Sequence, residues 1–277
     1  MRVILLGAAR LPDVVREAER LRPLIERHAD IALADFTGEA DLSTVEADAA
    51  IVLGGDGSIL RAAHQMGDRQ LPVIAVNLGR LGFLADLSPN ELIEVLESHT
   101  LEDLQVVEHL MFDCRVTRDA ELLGAAIGLN EVAVQSGPPF AMMDVDLYVD
   151  SELVTTYSCD GLIVSTPVGS TAHSLSAGGP ILRNTLQAFV FSPISPHALT
   201  NRPVVDAADR TFEIVVPRPL AHTSLVVDGR VLATLAESDR VRIVRSTAVF
   251  QLVEVGGQSY YRTLRDKLGW GGQLKQN

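Results

Sequence analysis

A chain of 277 residues can bury one large core or two modest ones, and two domains is the better expectation at that length. Lys and Arg number 23 against 36 Asp and Glu, a net charge of −13, which argues against an extended nucleic-acid surface yet leaves carboxylates for a divalent metal and room for a local phosphate site. The composition, 47% hydrophobic and 21% charged, is that of a soluble globular protein, with no run of membrane length, no signal-peptide pattern and two cysteines without a Cys-x-x-Cys pair, so a reducing cytoplasm is expected.

In chain order, residues 3–6 form an apolar run closed by Gly7, the pattern of a buried parallel strand. Residues 12–28 carry Val14, Ala18, Leu21 and Ile25 at helical spacing, with Pro23 disturbing the last turns. Short apolar strands are expected at 31–33, 49–53 and 71–77, with a helix after the second. A further helix over 89–97 has Ser88 as its cap and Pro89 in its first turn. Strands alternating with helices predict a parallel sheet with right-handed crossovers and a ligand beyond the carboxyl ends of its strands, where Asp56 and Asn77 fall. From residue 104 to about 255 the pattern changes to short β-type runs broken by Gly, Pro, Asp and Ser, for example 112–116, 131–134, 145–149, 161–165, 212–216, 224–227 and 241–244. Helical periodicity persists there only near 171–175 and 182–188. An all-β sandwich is expected for 104–255, and a terminal helix over 260–270.

Two stretches carry the chemistry. In Gly54-Gly55-Asp56-Gly57-Ser58, three glycines let the backbone turn sharply and approach a ligand closely, at the start of a helix whose unpaired amides favour phosphate. A carboxylate there repels phosphate, so Asp56 suggests a base or a metal partner, although an ordinary strand-to-helix turn would use the same residues. The stretch lacks Gly-Lys-Ser/Thr, and Leu60 stands at the third glycine of a dinucleotide fingerprint, so neither of those motifs is present. The second stretch, residues 159–180, is dense in small polar residues and opens a short helix after a buried strand. It offers hydroxyls and amides to a polar ligand, as a well-capped turn also would. A hydrolase triad of Asp160, Ser170 and His173 is discounted because Ser170 lacks the Gly-x-Ser-x-Gly elbow, and Cys114 and Cys159 have no neighbouring His pair for zinc.

Taken together these motifs resemble the NAD kinase family over most of the chain. The resemblance rests on residues 54–58, on Asn77-Leu78-Gly79-Arg80-Leu81-Gly82-Phe83-Leu84, on Leu129-Asn130-Glu131, on residues 160–180, on Pro193-Ile194-Ser195-Pro196-His197, on Val227-Asp228-Gly229 and on Lys267-Leu268-Gly269-Trp270. The Gly-Gly-Asp-Gly turn alone is shared with diacylglycerol and sphingosine kinases; the ordered set is specific. The resemblance implies an α/β domain over 1–103, Rossmann-like and with 256–277 returning to it, a β-sandwich NAD-binding domain over 104–255, and an active site between them. It implies that Asp56 accepts the proton of the attacking 2′-hydroxyl and that Gly54, Gly55, Gly57 and Ser58 meet phosphates. Asn130 and Glu131 would hold the adenosine end of NAD, with Phe83 against the nicotinamide side. Gly57, Thr171, Ala172, His173 and Ser176 would line the dinucleotide pocket, and Asp228 would add a polar contact. ATP, or polyphosphate, would be the donor, Mg²⁺ the metal, its ligands undefined, and a homodimer or homotetramer the assembly.

This chain departs from the family pattern at His173, where Tyr is usual, at Val168, where Thr or Ser is usual, and at Ser158 and His109-Leu110, where some members carry Arg. These departures imply an active kinase of altered affinity. The competing expectations are a lipid kinase using the same turn, against which the hydroxyl-rich 165–176 stretch speaks, and a non-catalytic NAD(P)-binding sensor.

Overall fold

A computed structural model describes residues 1–79, 82–85, 87–100, 103–138, 140–255 and 260–270. The expected motif residues Arg80 and Leu81 lie outside them. Two compact units are present, one of residues 1–108 with 251–277 and the other of residues 109–250. Among the described residues no helix is long and apolar enough to cross a membrane.

The first unit runs β1 (Arg2–Leu6), α1 (Pro12–Ile25), β2 (Asp30–Asp35), β3 (Ala49–Leu53), α2 (Asp56–Met66), β4 (Val73–Val76) and α3 (Pro89–Ser98). The strands pair in parallel in the order β2-β1-β3-β4. From β1 the chain crosses to β2 on one side, and from β3 to β4 on the other, so right-handed crossovers send α1 and α2 to opposite faces. Val3, Leu5, Ile51, Leu53, Ile74 and Val76 accordingly pack with Val14, Leu21 and Ile25 of α1 and Leu92 and Leu96 of α3. β3 is buried at every position, as a strand covered on both faces must be. α1 ends at Ile25, three residues before the expected end, with Pro23 in its last turn lacking an N–H. Ser88 caps α3 in a full capping box with Glu91.

Asp35, at the end of β2, ties this unit together. Its carboxylate accepts from the Thr37 amide and hydroxyl, both at 2.7 Å, from the Ala40 amide at 3.2 Å and from Gln65 Nε2 of α2 at 2.7 Å. Burial alone would raise its pKa, but the hydrogen bonds from Thr37 and Gln65 outweigh that and hold it well below the usual carboxylate range. Replacing Asp35 by Asn is expected to cost about 1–3 kcal/mol at pH 7. Because the folded carboxyl has the lower pKa, its contribution is complete above the unfolded value of about 3.9 and is lost as the pH falls through the folded one. Urea unfolding should therefore show a gap between wild type and variant that narrows from pH 7 to pH 3; an unchanged gap would mean that the charge of Asp35 is not engaged.

The second unit is antiparallel. It comprises most of β5 (Gln105–Arg118), then β6 (Glu121–Gly128), β7 (Glu131–Gln135), β8 (Met143–Val149), β9 (Glu152–Cys159), β10 (Gly161–Ser165), a 3₁₀ turn at Gly169–Thr171, α4 (His173–Ser176), β11 (Ala188–Ile194), β12 (Val204–Ala207), β13 (Phe212–Val215), β14 (Ser224–Val227), β15 (Arg230–Thr234) and the start of β16 (Arg240–Glu254). One layer is the six-stranded sheet β12-β11-β10-β7-β14-β15. The other joins β16, β13, β8 and β9, with β5 and β6. Val132 and Val134 of β7, Leu162 and Val164 of β10, and Phe189 and Phe191 of β11 meet Val145, Leu147, Phe212 and Ile214 in one core. Phe189 stands edge-on to Phe212 with centroids 5.4 Å apart.

The expected helix over 182–188 is absent. The segment is a turn at 183–186 leading into β11. The end of the segment is drawn into the sheet instead: Ala188 pairs with Ala207 of β12, and the Gln187 carbonyl accepts from the Ala208 amide, which sets an extended backbone there. The terminal helix α5 (Tyr260–Leu268) belongs to the first unit.

Candidate active site

In the first unit the glycine-rich turn joins β3 to α2. Gly54 has φ +136°, a conformation that a side chain disfavours, and a Cβ there would strike Ser58 Oγ. Gly55 and Gly57 are exposed, and a Cβ on either would meet nothing within 4 Å among the described residues. Their small size therefore keeps open space above the turn. Ser58 is 9% exposed, and its amide donates to Gly55 O at 2.8 Å, closing the first turn of α2.

Asp56, half-buried in the first turn of α2, is held by the segment after β4. Its Oδ2 accepts from the Phe83 amide at 2.8 Å, and its Oδ1 from Leu84 at 3.1 Å and Ala85 at 3.4 Å. Gly82 makes this possible, since a Cβ there would overlap Asp56 Oδ1. The sequence showed the glycine without its reason. Asn77 turns the chain into this segment, its Oδ1 accepting from the Gly79 amide at 2.9 Å. Phe83 is half-buried, with Lys267 Nζ of α5 4.7 Å from its ring centroid, a cation–π contact that the spacing of these residues gave no sign of.

In the second unit the site is built at one end of the six-stranded sheet. Glu131 opens β7 opposite Ser165, the last residue of β10, and Val132 pairs with Val227, the last residue of β14. A two-residue turn, Asp228 at φ +44° and Gly229 at φ +78°, links β14 to β15 with the positive φ values a tight hairpin requires. From this turn the Asp228 carboxylate accepts three amides, Leu129 at 2.7 Å, Asn130 at 2.9 Å and Glu131 at 2.8 Å. The carbonyls of the same segment are taken from the other side. Thr166 Oγ1 donates to Leu129 O at 2.6 Å, and the Thr166 amide and Ser165 Oγ donate to Asn130 O at 2.9 and 3.2 Å. Gly169 lies against that carbonyl, where a Cβ would collide. Asp228 thus fixes the backbone of 129–131.

With the backbone fixed, the two side chains keep unfilled acceptors. Asn130 Oδ1 and Glu131 Oε2 are buried without a hydrogen-bond partner, while Glu131 Oε1 lies 2.5 Å from His173 Nδ1. Burial raises the Glu131 pKa, the His173 contact opposes the rise and the charge of Asp228 adds to it. An unpartnered buried acceptor is costly, and one on each of two consecutive residues marks a candidate place for a ligand's donors. The 165–176 stretch contributes less than its composition promised. Ser165, Thr166, Ser170 and Ser174 are fully buried, and Ser170 Oγ donates to Pro167 O, which leaves no triad with His173. Thr171 Oγ1 donates back to Val168 O, and the Ala172 amide to Gly169 O. His173 and Ser176 are exposed on α4.

The models for the ATP-NAD kinase N-terminal and C-terminal domains match residues 19–103 and 129–255. The NAD kinase of Rhodopirellula baltica is 53% identical over 273 residues, spanning 99% of this chain and 88% of that protein. That of Geotalea daltonii is 39% identical, spanning 92% and 90%. Among solved structures, an NAD kinase from Archaeoglobus fulgidus in complex with ATP aligns with a TM-score of 0.75 at 27% identity over 97% of this chain and 99% of that one. Yeast NADH kinase complexed with NADH shares the fold, with a TM-score of 0.85 at 22% identity over 100% and 90%. The α/β unit with its carboxylate-bearing glycine turn and the sandwich with its fixed acceptor pair define a two-domain kinase. The chain belongs to the ATP-NAD kinase family. The lipid-kinase alternative is not favoured.

Proposed function

We propose that this chain is an NAD kinase, transferring the terminal phosphoryl group of ATP, or of polyphosphate, to the 2′-hydroxyl of the adenosine ribose of NAD. The observation that carries the acceptor side is the pair of buried, unpartnered oxygens, Asn130 Oδ1 and Glu131 Oε2, on a backbone whose own donors and acceptors are filled. Acceptors so placed suit the hydroxyl and amine donors of an adenosine end. On this reading Thr171, Ala172, His173 and Ser176 line the dinucleotide pocket, His173 at hydrogen-bond distance from Glu131, and Phe83 takes the nicotinamide side. Asp56 receives the 2′-hydroxyl proton as the oxygen forms its bond to the γ-phosphorus and the bond to the leaving diphosphate breaks, giving NADP and ADP. Gly54, Gly55 and Gly57 let the donor's phosphates approach the turn.

Among the described residues no group of three or more His, Cys, Asp or Glu could hold a metal, and both Asp56 oxygens already accept amides. Mg²⁺ fits here as a companion of the donor, held mainly by phosphate oxygens. When bound, it offsets their charge. A cytoplasmic location belongs to the same reading, as does self-association as a homodimer or homotetramer, for which the exposed Leu153, Val154, Val204 and Val205 offer apolar surface.

The test is NADP formation by purified protein from NAD, ATP and Mg²⁺. Product should form, with KM for NAD raised about tenfold or more in Asn130→Ala. NAD binding without turnover would instead identify a sensor, and turnover of diacylglycerol or a sphingoid base a lipid kinase.

A further inference from the structure

Every backbone group of residues 129–131 that faces the site is anchored, but a glutamate side chain still has three rotatable bonds, and freedom there weakens any contact it makes. The contact that removes this freedom comes from α4. His173 Nδ1 sits 2.5 Å from Glu131 Oε1, and the Glu131 side chain is 5% exposed against 71% for His173. The imidazole is carried on a fixed base, because its neighbour Ser174 is fully buried and bonds Ser192 of β11, Oγ to Oγ, at 2.9 Å. Held at Oε1, Glu131 keeps Oε2 unpartnered, as Asn130 Oδ1 is on the residue before it.

We propose that His173 is a positioning residue for the acceptor dinucleotide: it clamps one carboxylate oxygen of Glu131 so that the other is presented, already oriented, to the donors of the bound nucleoside. This rests on the reading that Asn130 and Glu131 hold that nucleoside. It assigns His173 an action through Glu131 in place of the direct ring packing expected from the sequence. The clamp acts before the ligand arrives, so its loss falls on affinity more than on the chemical step.

The test measures NAD binding by calorimetry and steady-state kinetics for His173→Leu, His173→Gln, Glu131→Gln, Glu131→Ala and the double variant His173→Leu/Glu131→Ala. The exposed position of His173 leaves folding intact, which thermal unfolding checks. His173→Leu is expected to raise Kd and KM for NAD about tenfold, the size of one hydrogen bond to a charged group, with a much smaller change in kcat. His173→Gln, which retains an N–H donor, should recover most of the loss. On a Glu131→Ala background, which leaves His173 no acceptor to clamp, His173→Leu should add little, because residues that act through one another are non-additive. An undiminished effect on that background would overturn the proposal by showing that His173 touches the ligand itself, and wild-type affinity in His173→Leu would overturn it outright. If Glu131→Gln and Asn130→Ala bind NAD as wild type does, the acceptor reading fails and the clamp fails with it. If those two variants weaken binding while His173→Leu does not, the clamp fails alone.

Discussion

Replacing Asp56 by Asn is expected to lower kcat for NADP formation by about 10²–10⁴-fold, the usual contribution of a positioned general base. The geometry adds a second, separable effect. Three amides, those of Phe83, Leu84 and Ala85, donate to the two oxygens of this carboxylate. An asparagine keeps one oxygen and turns an N–H₂ group toward donors, so at least one amide loses its acceptor, at a cost of about 1–3 kcal/mol where it is buried. Thermal unfolding should therefore drop together with kcat, while NAD affinity, set on the proposed reading mainly by Asn130 and Glu131, should change less. Measured side by side, kcat, Kd and Tm separate the roles. A variant that loses stability but keeps kcat within a factor of a few would mean that Asp56 anchors the 82–85 segment and nothing more.

Asp228→Ala should lower affinity for NAD without touching the reacting atoms. It removes the acceptor of three consecutive amides, at Leu129, Asn130 and Glu131. The expected loss is about 1–3 kcal/mol of stability and an increase of tenfold or more in KM for NAD, because the segment that carries both acceptors is released. Asp228→Asn should fall between, since its remaining oxygen can still serve Asn130 and Glu131 while its N–H₂ faces the Leu129 amide. Equilibrium unfolding and steady-state kinetics check both arms. If Asp228→Ala changes KM but leaves the unfolding midpoint in place, Asp228 contacts the dinucleotide directly and the latch assigned to it is wrong.

What the sequence disclosed and what it withheld divide along a physical line. Strands with a continuous apolar run and sharp punctuation were legible with their bounds, as at Gly161–Ser165 between Asp160 and Thr166-Pro167, and so was the Ser88 cap of α3. The segment 182–188 misled because Leu182 and Leu186 have helical spacing, while its end is drawn into β11 by pairing with Ala207 and Ala208, partners that no local pattern reveals. Asp56, Asn130 and Glu131 could be picked out because polar groups in small-residue turns stand out against an apolar background. What holds them could not be read, since Asp228 reaches them from 97 to 99 positions away and Gly82 reaches Asp56 across another loop. The serines of 165–176 had the composition of a binding surface, and most of them proved to be internal carpentry. Local sequence reports residue chemistry; whether a hydroxyl faces a ligand or a carbonyl of its own chain is decided by tertiary register.

The hairpin between β14 and β15 also bears on how the chain tolerates change. Two-residue turns with positive φ recur in the sandwich, at Asp119-Ala120 between β5 and β6 and at Asp150-Ser151 between β8 and β9 as well as at Asp228-Gly229. By local geometry the three are interchangeable surface tips of the kind that accepts insertions, tags or new chain termini. They are not equivalent in this protein. An added residue at 119–120 lengthens a loop, whereas one at 228–229 withdraws a carboxylate from the strand entry that orients the site. Loop length, usually the freest variable in a β-sandwich, becomes at this tip, on the proposed function, a determinant of affinity for NAD.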